Sequence, residues 1–337
     1  MKRNILVALL LTGLLVPHGR LVAQDDPLPL VVATTTQARD ALEIVAGERI
    51  ELVGLMGAGV DPHLYRPPEA DVRAMNRADA IFYSGLHLEG QFGDVLGALG
   101  ERDVLVVALS DPVKKAGFTI GGFTLSDAFS NVDDPHFWFD PRNWQLSIDH
   151  VAVQLALLDP AGAGAYAARA AAYNVQLDLL FDWASEAMAA VPQDQRVLVT
   201  SHDAFQYFGE AFGWEVRGLQ GLSTEDEAGV ADVQALVDFV IERDIPVLFV
   251  ESSVPPNAIE SVREGAAAQG HDIDVGLREL YSDAMGAPGD FGGTYVGMLA
   301  GNVSTILQSW RLPLPAWPGD LQPLLPAEPA VADVQAP

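Results

Sequence analysis

The stretch PAGAGAYAARAAAYNVQLDLLFDWASEAMAAVP, Pro160 to Pro192, has no internal proline, and its glycines stand only at the front. Tyr166, Tyr173, Leu177, Leu180, Ala184 and Val191 recur at helical spacing, which predicts one long helix with a single apolar stripe. Pro160 suits its first turn and Pro192 its end. About 30 residues rising ~1.5 Å each span about 45 Å, enough to run along two domains rather than merely turn between them. A helical connector is stiffer than a Gly/Ser linker, so the parts it joins are expected to tilt rather than swing.

On both sides of this helix the chain alternates. LPLVVAT, RIELVGL, DAIFYS and DVLVVAL are short and β-branched, and helical segments such as ARDALEIVAG and EADVRAMNRA lie between them. After residue 195 the alternation resumes with RVLVTS, WEVRG, PVLFVE and HDIDVG, and with the helical VADVQALVDFVIERD. Such alternation predicts βα units and mainly parallel sheets. The expected architecture is α/β, two similar lobes joined by one long α-helix. Residues 28–145 form the N-terminal lobe, 146–192 the connector with its long helix, and 193–311 the C-terminal lobe.

Composition narrows the function. The 337 residues are 49% hydrophobic, enough for a sizeable core, and carry a formal charge of −27. That balance excludes nucleic acid and anionic lipid as partners and favours cations. The N-terminus combines MKRN with the apolar run ILVALLLTGLLV and a small residue at Ala23, the pattern of a secretory signal peptide over residues 1–23. There is no cysteine, hence no disulfide and no thiol for lipid attachment. A soluble periplasmic monomer is expected. From Leu312 onward seven prolines in 26 residues predict a disordered tail, 312–337.

Three of the seven histidines share a setting. DPHLY and DDPHFWFDP each place a histidine, His63 and His136, directly after Asp-Pro, and His202 follows RVLVTS. Proline fixes its own φ and restricts the preceding aspartate, so both loops are stiff. All three histidines stand at or beyond strand ends, where α/β sheets collect ligands. Asp-Pro is also an ordinary turn dipeptide, and any one histidine alone would signify little. Neutral imidazoles converging in an exported, cysteine-free chain are most simply metal ligands. Asp283 in ELYSDAMG is the best fourth ligand, a carboxylate from the second lobe. Three nitrogens and a carboxylate suit a divalent transition metal better than calcium or magnesium. Asp140 and Glu251 are candidates to orient these ligands from behind, although Asp140 equally suits a helix N-cap.

Several segments in order carry a resemblance: GAGVDPHLYRPPEADVRAMNRADAIFYSGLHLE, DDPHFWFDPRNW, VTSHDAFQYFGEAFGWEVRGLQGLSTEDEAG, FVESSV and ELYSDAMG. From about Leu30 to Leu307 the sequence resembles the zinc/manganese solute-binding proteins of metal ABC importers, the ZnuA/TroA-like family (cluster A-I). The resemblance implies two α/β lobes on one long helix with a metal site in the cleft between them, and His63, His136, His202 and Asp283 as ligands. It also implies delivery of the ion to an ABC importer membrane permease, and no enzyme activity. Histidine at position 202 leans towards zinc, whereas the histidine-free segment before Asp134 weakens that preference. The transported ligand is expected to be Zn2+, with Mn2+ close behind. Rival readings are a zinc-dependent hydrolase, which lacks a His-Glu-x-x-His motif here, and a surface adhesin, for which anchor and repeats are missing.

Overall fold

The computed structural model describes residues 27–324, apart from Asp103 and residues 127–128. The expected signal peptide, 1–23, lies outside the described residues. Four parallel strands, β1 (Leu30–Ala33), β2 (Glu51–Gly54), β3 (Ala80–Tyr83) and β4 (Leu105–Ala108), form a sheet of order β2-β1-β3-β4. Between and after them run α1 (Thr36–Ala46), α2 (Glu69–Arg77), α3 (Gly93–Gly100) and α4 (Asp111–Ala116). Val31, Val32, Ile81 and Phe82 are fully buried on the two central strands, as expected of a parallel sheet covered on both faces. The histidine-free segment before Asp134 folds into an antiparallel hairpin of β5 (Phe123–Ser126) and β6 (Phe129–Val132).

Two helices follow. Asp140 caps α5 (Pro141–Leu158) by accepting the Arg142 amide, and α6 (Ala163–Ala189) is the long helix. Tyr166, Tyr173, Leu177, Leu180 and Ala184 are all buried along α6. Each fully buried leucine contributes about 1.5–3 kcal/mol.

A second parallel array holds β7 (Val197–His202) beside β8 (Glu215–Gln220), with α7 (Gln206–Phe212) between them in sequence. After α8 (Val230–Glu242), β9 (Val247–Leu248) joins β7, since the Phe249 amide donates to the Val199 carbonyl at 2.9 Å. After α9 (Asn257–Ala267), β10 (Asp274–Val275) pairs with β9. The resulting order, β8-β7-β9-β10, repeats that of the first sheet. α10 (Tyr295–Ser309) is buried from Tyr295 to Leu307, and its Asn302 side chain is satisfied by the Tyr281 amide at 2.8 Å and carbonyl at 2.7 Å. α6 packs against α1, α5, α7 and α10, and one continuous apolar core runs through both arrays.

The Pro-rich segment departs from expectation. Residues 312–324 are ordered: Leu312, Leu314 and Trp317 pack on the core, Leu321 is fully buried, and Trp317 meets Trp183 of α6 with ring centres 4.7 Å apart. Apolar anchors between the prolines give this stretch something to bury, which composition alone does not reveal. Residues 325–337 lie outside the described residues.

Candidate metal centre

The side chains of His63, His136, His202 and Asp283 converge, each offering one ligand atom, and these atoms lie within 4.8 Å of one another. His63 arrives on the loop after β2, His136 on the loop between β6 and α5, His202 as the last residue of β7, and Asp283 on the loop between β10 and α10. Gly218 allows β8 to press against the end of β7, where a Cβ would lie 2.4 Å from the Asp203 amide nitrogen.

Asp283 sits at the centre. Its Oδ1 is 3.2 Å from His136 Nε2, and its Oδ2 is 3.2 Å from His202 Nε2 and 3.9 Å from His63 Nε2. All four side chains are buried, yet the three Nε2 atoms and Asp283 Oδ1 have no hydrogen-bond partner. Buried polar atoms without partners are costly, and here they point at one another. Ligands of a tetrahedral ion with bonds of about 2.0–2.1 Å stand about 3.3 Å apart, close to the contacts of Asp283 with His136 and His202. The donor set therefore fits a divalent transition metal.

Each Asp-Pro-His repeat builds the same turn. Asp61 Oδ1 accepts the His63 amide at 2.8 Å, and Asp134 Oδ1 accepts the His136 amide, also at 2.8 Å. Asp134 additionally lies 2.7 Å from His136 Nδ1, which leaves Nε2 for a ligand role. Glu251 supports His202 in the same way, with Oε1 accepting its amide at 2.8 Å and Oε2 lying 2.6 Å from Nδ1. Asp140 does not belong to this group: its carboxylate caps α5 and pairs with Arg142 at 2.8 Å. The carboxylate behind His136 is Asp134. Phe137 and Trp138 are buried, and the Trp138 carbonyl accepts the Tyr295 hydroxyl at 2.7 Å, fixing the loop to α10.

Electrostatics separate the histidines. Burial drives His63 down to about 3, opposed by Asp283 and assisted by His136 and His202. Burial also disfavours charge on His136, but Asp134 and Asp283 outweigh it and raise the group to about 9. His202 is raised well above its usual value, burial being overcome by Asp283 and Glu251. Burial would raise Asp283, but His202 and His136 hold it far below the usual carboxylate range. In the metal-free site these shifts favour protons on His136 and His202, beside the buried carboxylates.

Two α/β arrays on one long helix, with a buried cluster able to hold a divalent cation between them, define a two-lobed cation-binding architecture. The chain belongs to the ZnuA family, described as "Zinc-uptake complex component A periplasmic", whose sequence model matches residues 31–309. It is 42% identical over 282 residues to the manganese-binding lipoprotein MntA of Bacillus subtilis (strain 168), covering 83% of this chain and 89% of that protein. It is likewise 42% identical over 299 residues to the zinc-binding protein TroA of Treponema pallidum (strain Nichols), covering 88% and 94%. The solved structure of the periplasmic zinc-binding protein TroA from Treponema pallidum superposes with a TM-score of 0.77 at 42% identity, covering 84% of this chain and 99% of that one.

Proposed function

We propose that this protein is an extracytoplasmic solute-binding protein that captures a divalent transition metal and delivers it to the permease of an ABC-type importer. His63, His136, His202 and Asp283 are its ligands, and Asp134 and Glu251 hold two of those histidines in ligating orientation. The observation that carries this reading is the set of four buried side chains whose unpartnered atoms face one another within 4.8 Å. The division into an N-terminal lobe (28–145), a connector (146–192) and a C-terminal lobe (193–311) belongs to the same reading, with the cluster drawing its residues from both lobes. The protein acts as a monomer.

Family membership leaves the metal open, since equally similar relatives are named for manganese and for zinc. Three imidazoles place zinc first and manganese second. The relative named MntA is a lipoprotein, whereas this sequence has no cysteine for acylation. No helix of the described residues is long and apolar enough to cross a membrane. A zinc hydrolase would keep one coordination position for water, and four protein ligands fill a tetrahedral ion.

Thermal unfolding of metal-stripped protein with excess zinc, manganese or calcium tests the proposal. A cation at 100 times its dissociation constant adds about 2.7 kcal/mol, so zinc and manganese should raise the melting temperature and calcium should not. Equal shifts with all three cations, or none, would contradict it.

A further inference from the structure

The four candidate ligands are not held equally. His136 and His202 each have a carboxylate against the second ring nitrogen, at 2.7 Å and 2.6 Å. Asp283 is fixed through its backbone, because its carbonyl accepts from Gln37 of α1 at 3.0 Å and the nearby Met285 amide donates to Thr36 at 2.9 Å. Among the described residues, no carboxylate pairs with the second ring nitrogen of His63. Its hold comes from Asp61, whose Oδ1 accepts the His63 amide.

The other oxygen of Asp61 reaches across the cleft. Thr224, 163 positions further along the chain and 6% exposed, donates its hydroxyl to Asp61 Oδ2 at 2.5 Å. Next to it, Gln91 donates to Glu225 at 2.8 Å, a second polar contact between the same two lobes. The His63 loop touches the opposite lobe once more at Gly59, whose φ is +71° and where a Cβ would lie 3.3 Å from the Ser252 carbonyl. The least supported ligand therefore sits on a loop that the opposite lobe holds by a hydrogen bond from a threonine hydroxyl and by the close approach at Gly59.

We propose that Thr224 is a positioning residue for metal retention: its hydroxyl holds Asp61, and through it the His63 loop, against the opposite lobe. The inference rests on His63 being a ligand. Loss of the hydroxyl frees the His63 arm while His136, His202 and Asp283 stay fixed. The ion then leaves faster but is captured at an unchanged rate, because capture begins on the three ligands that are already braced.

Stopped-flow transfer of zinc to an excess of fluorescent chelator measures release, and mixing of metal-stripped protein with zinc measures capture. Thr224→Val should release zinc about tenfold faster or more, the size expected when a hydrogen bond to a charged group is lost, with the capture rate unchanged. Thr224→Ser, which keeps the hydroxyl, should behave as wild type. Thr224→Ala provides a second, smaller disruption with the same expectation. In a His63→Ala background, Thr224→Val should add no further acceleration. Wild-type release rates in both Val and Ala variants, or full additivity with His63→Ala, would overturn the proposal. A wild-type chain that binds no zinc would instead overturn the receptor reading on which it rests.

Discussion

The carboxylate of Glu251 holds His202 at two points, accepting its backbone amide at 2.8 Å and lying 2.6 Å from Nδ1. Asp134 does the same for His136 with a single oxygen. A long-range contact in one lobe and a local turn in the other thus reach one result, an imidazole whose Nε2 faces Asp283. Replacing a carboxylate behind a metal histidine typically costs about 10–100-fold in metal affinity. Glu251→Gln should fall in that range for zinc by calorimetric titration, with the secondary structure kept. Wild-type affinity would mean that His202 needs no such support.

Metal binding should be coupled to proton release. An ordinary histidine would put the weakening below about pH 6.5, but His136 is raised to about 9 and His202 is raised well above the usual value. At pH 7 an incoming ion must displace these protons, so affinity should climb as pH rises towards 9 and fall throughout the range below it. Titration at pH 7 in two buffers of different ionisation enthalpy checks this, because the apparent binding enthalpies should differ. For the metal-free chain the sign is opposite. A histidine raised in the folded state stabilises fully below about 6.5 and loses that contribution as pH rises through 9.

Asp40 of α1 offers a test away from the metal. It is buried and accepts the Tyr295 amide at the start of α10 at 3.0 Å. Burial, opposed by that hydrogen bond and assisted by Glu43, raises its pKa from 3.8 to about 7. The folded chain therefore keeps a proton that the unfolded chain has lost, and stability declines as pH rises through this window. Asp40→Asn removes the dependence while retaining an acceptor for Tyr295. Denaturant unfolding of metal-free protein should show the variant more stable at pH 8, by about 1–4 kcal/mol, and nearly unchanged at pH 4. Equal effects at both pH values would count against a buried, protonated Asp40.

Because the connecting helix lies in one continuous core, damage to it should lower stability without touching the site. Leu180 is fully buried on α6. Leu180→Ala should cost about 2–5 kcal/mol, seen by denaturant unfolding, and leave zinc affinity as in the wild type.

Much of the fold was legible because its signals are local. The stripe from Tyr166 to Ala184 needs only helical spacing, and β1, β3 and β7 declare themselves as short β-branched runs. The histidines stood out because proline and strand ends mark their loops. What stayed hidden depends on distant partners. Glu251 was expected behind a ligand, but its particular partner, His202 across 49 positions, was not, and Thr224 meets Asp61 across 163; no local spacing encodes either pairing. Asp134 is hidden for another reason. Its proline neighbour explained it as a turn residue, and the second use of the carboxylate on the His136 ring becomes visible only in three dimensions. Trp317 lies among prolines, and its anchoring role depends on Trp183, far away in sequence.

The central claim is that His63, His136, His202 and Asp283 form one metal site, and calorimetric titration of metal-stripped protein tests it most directly. Zinc and manganese should each bind wild type at one ion per chain, and His136→Ala should weaken binding of both at least about 100-fold, as expected when a ligand itself rather than its support is lost. Failure of both metals to bind, or unchanged affinity in His136→Ala, would contradict the account.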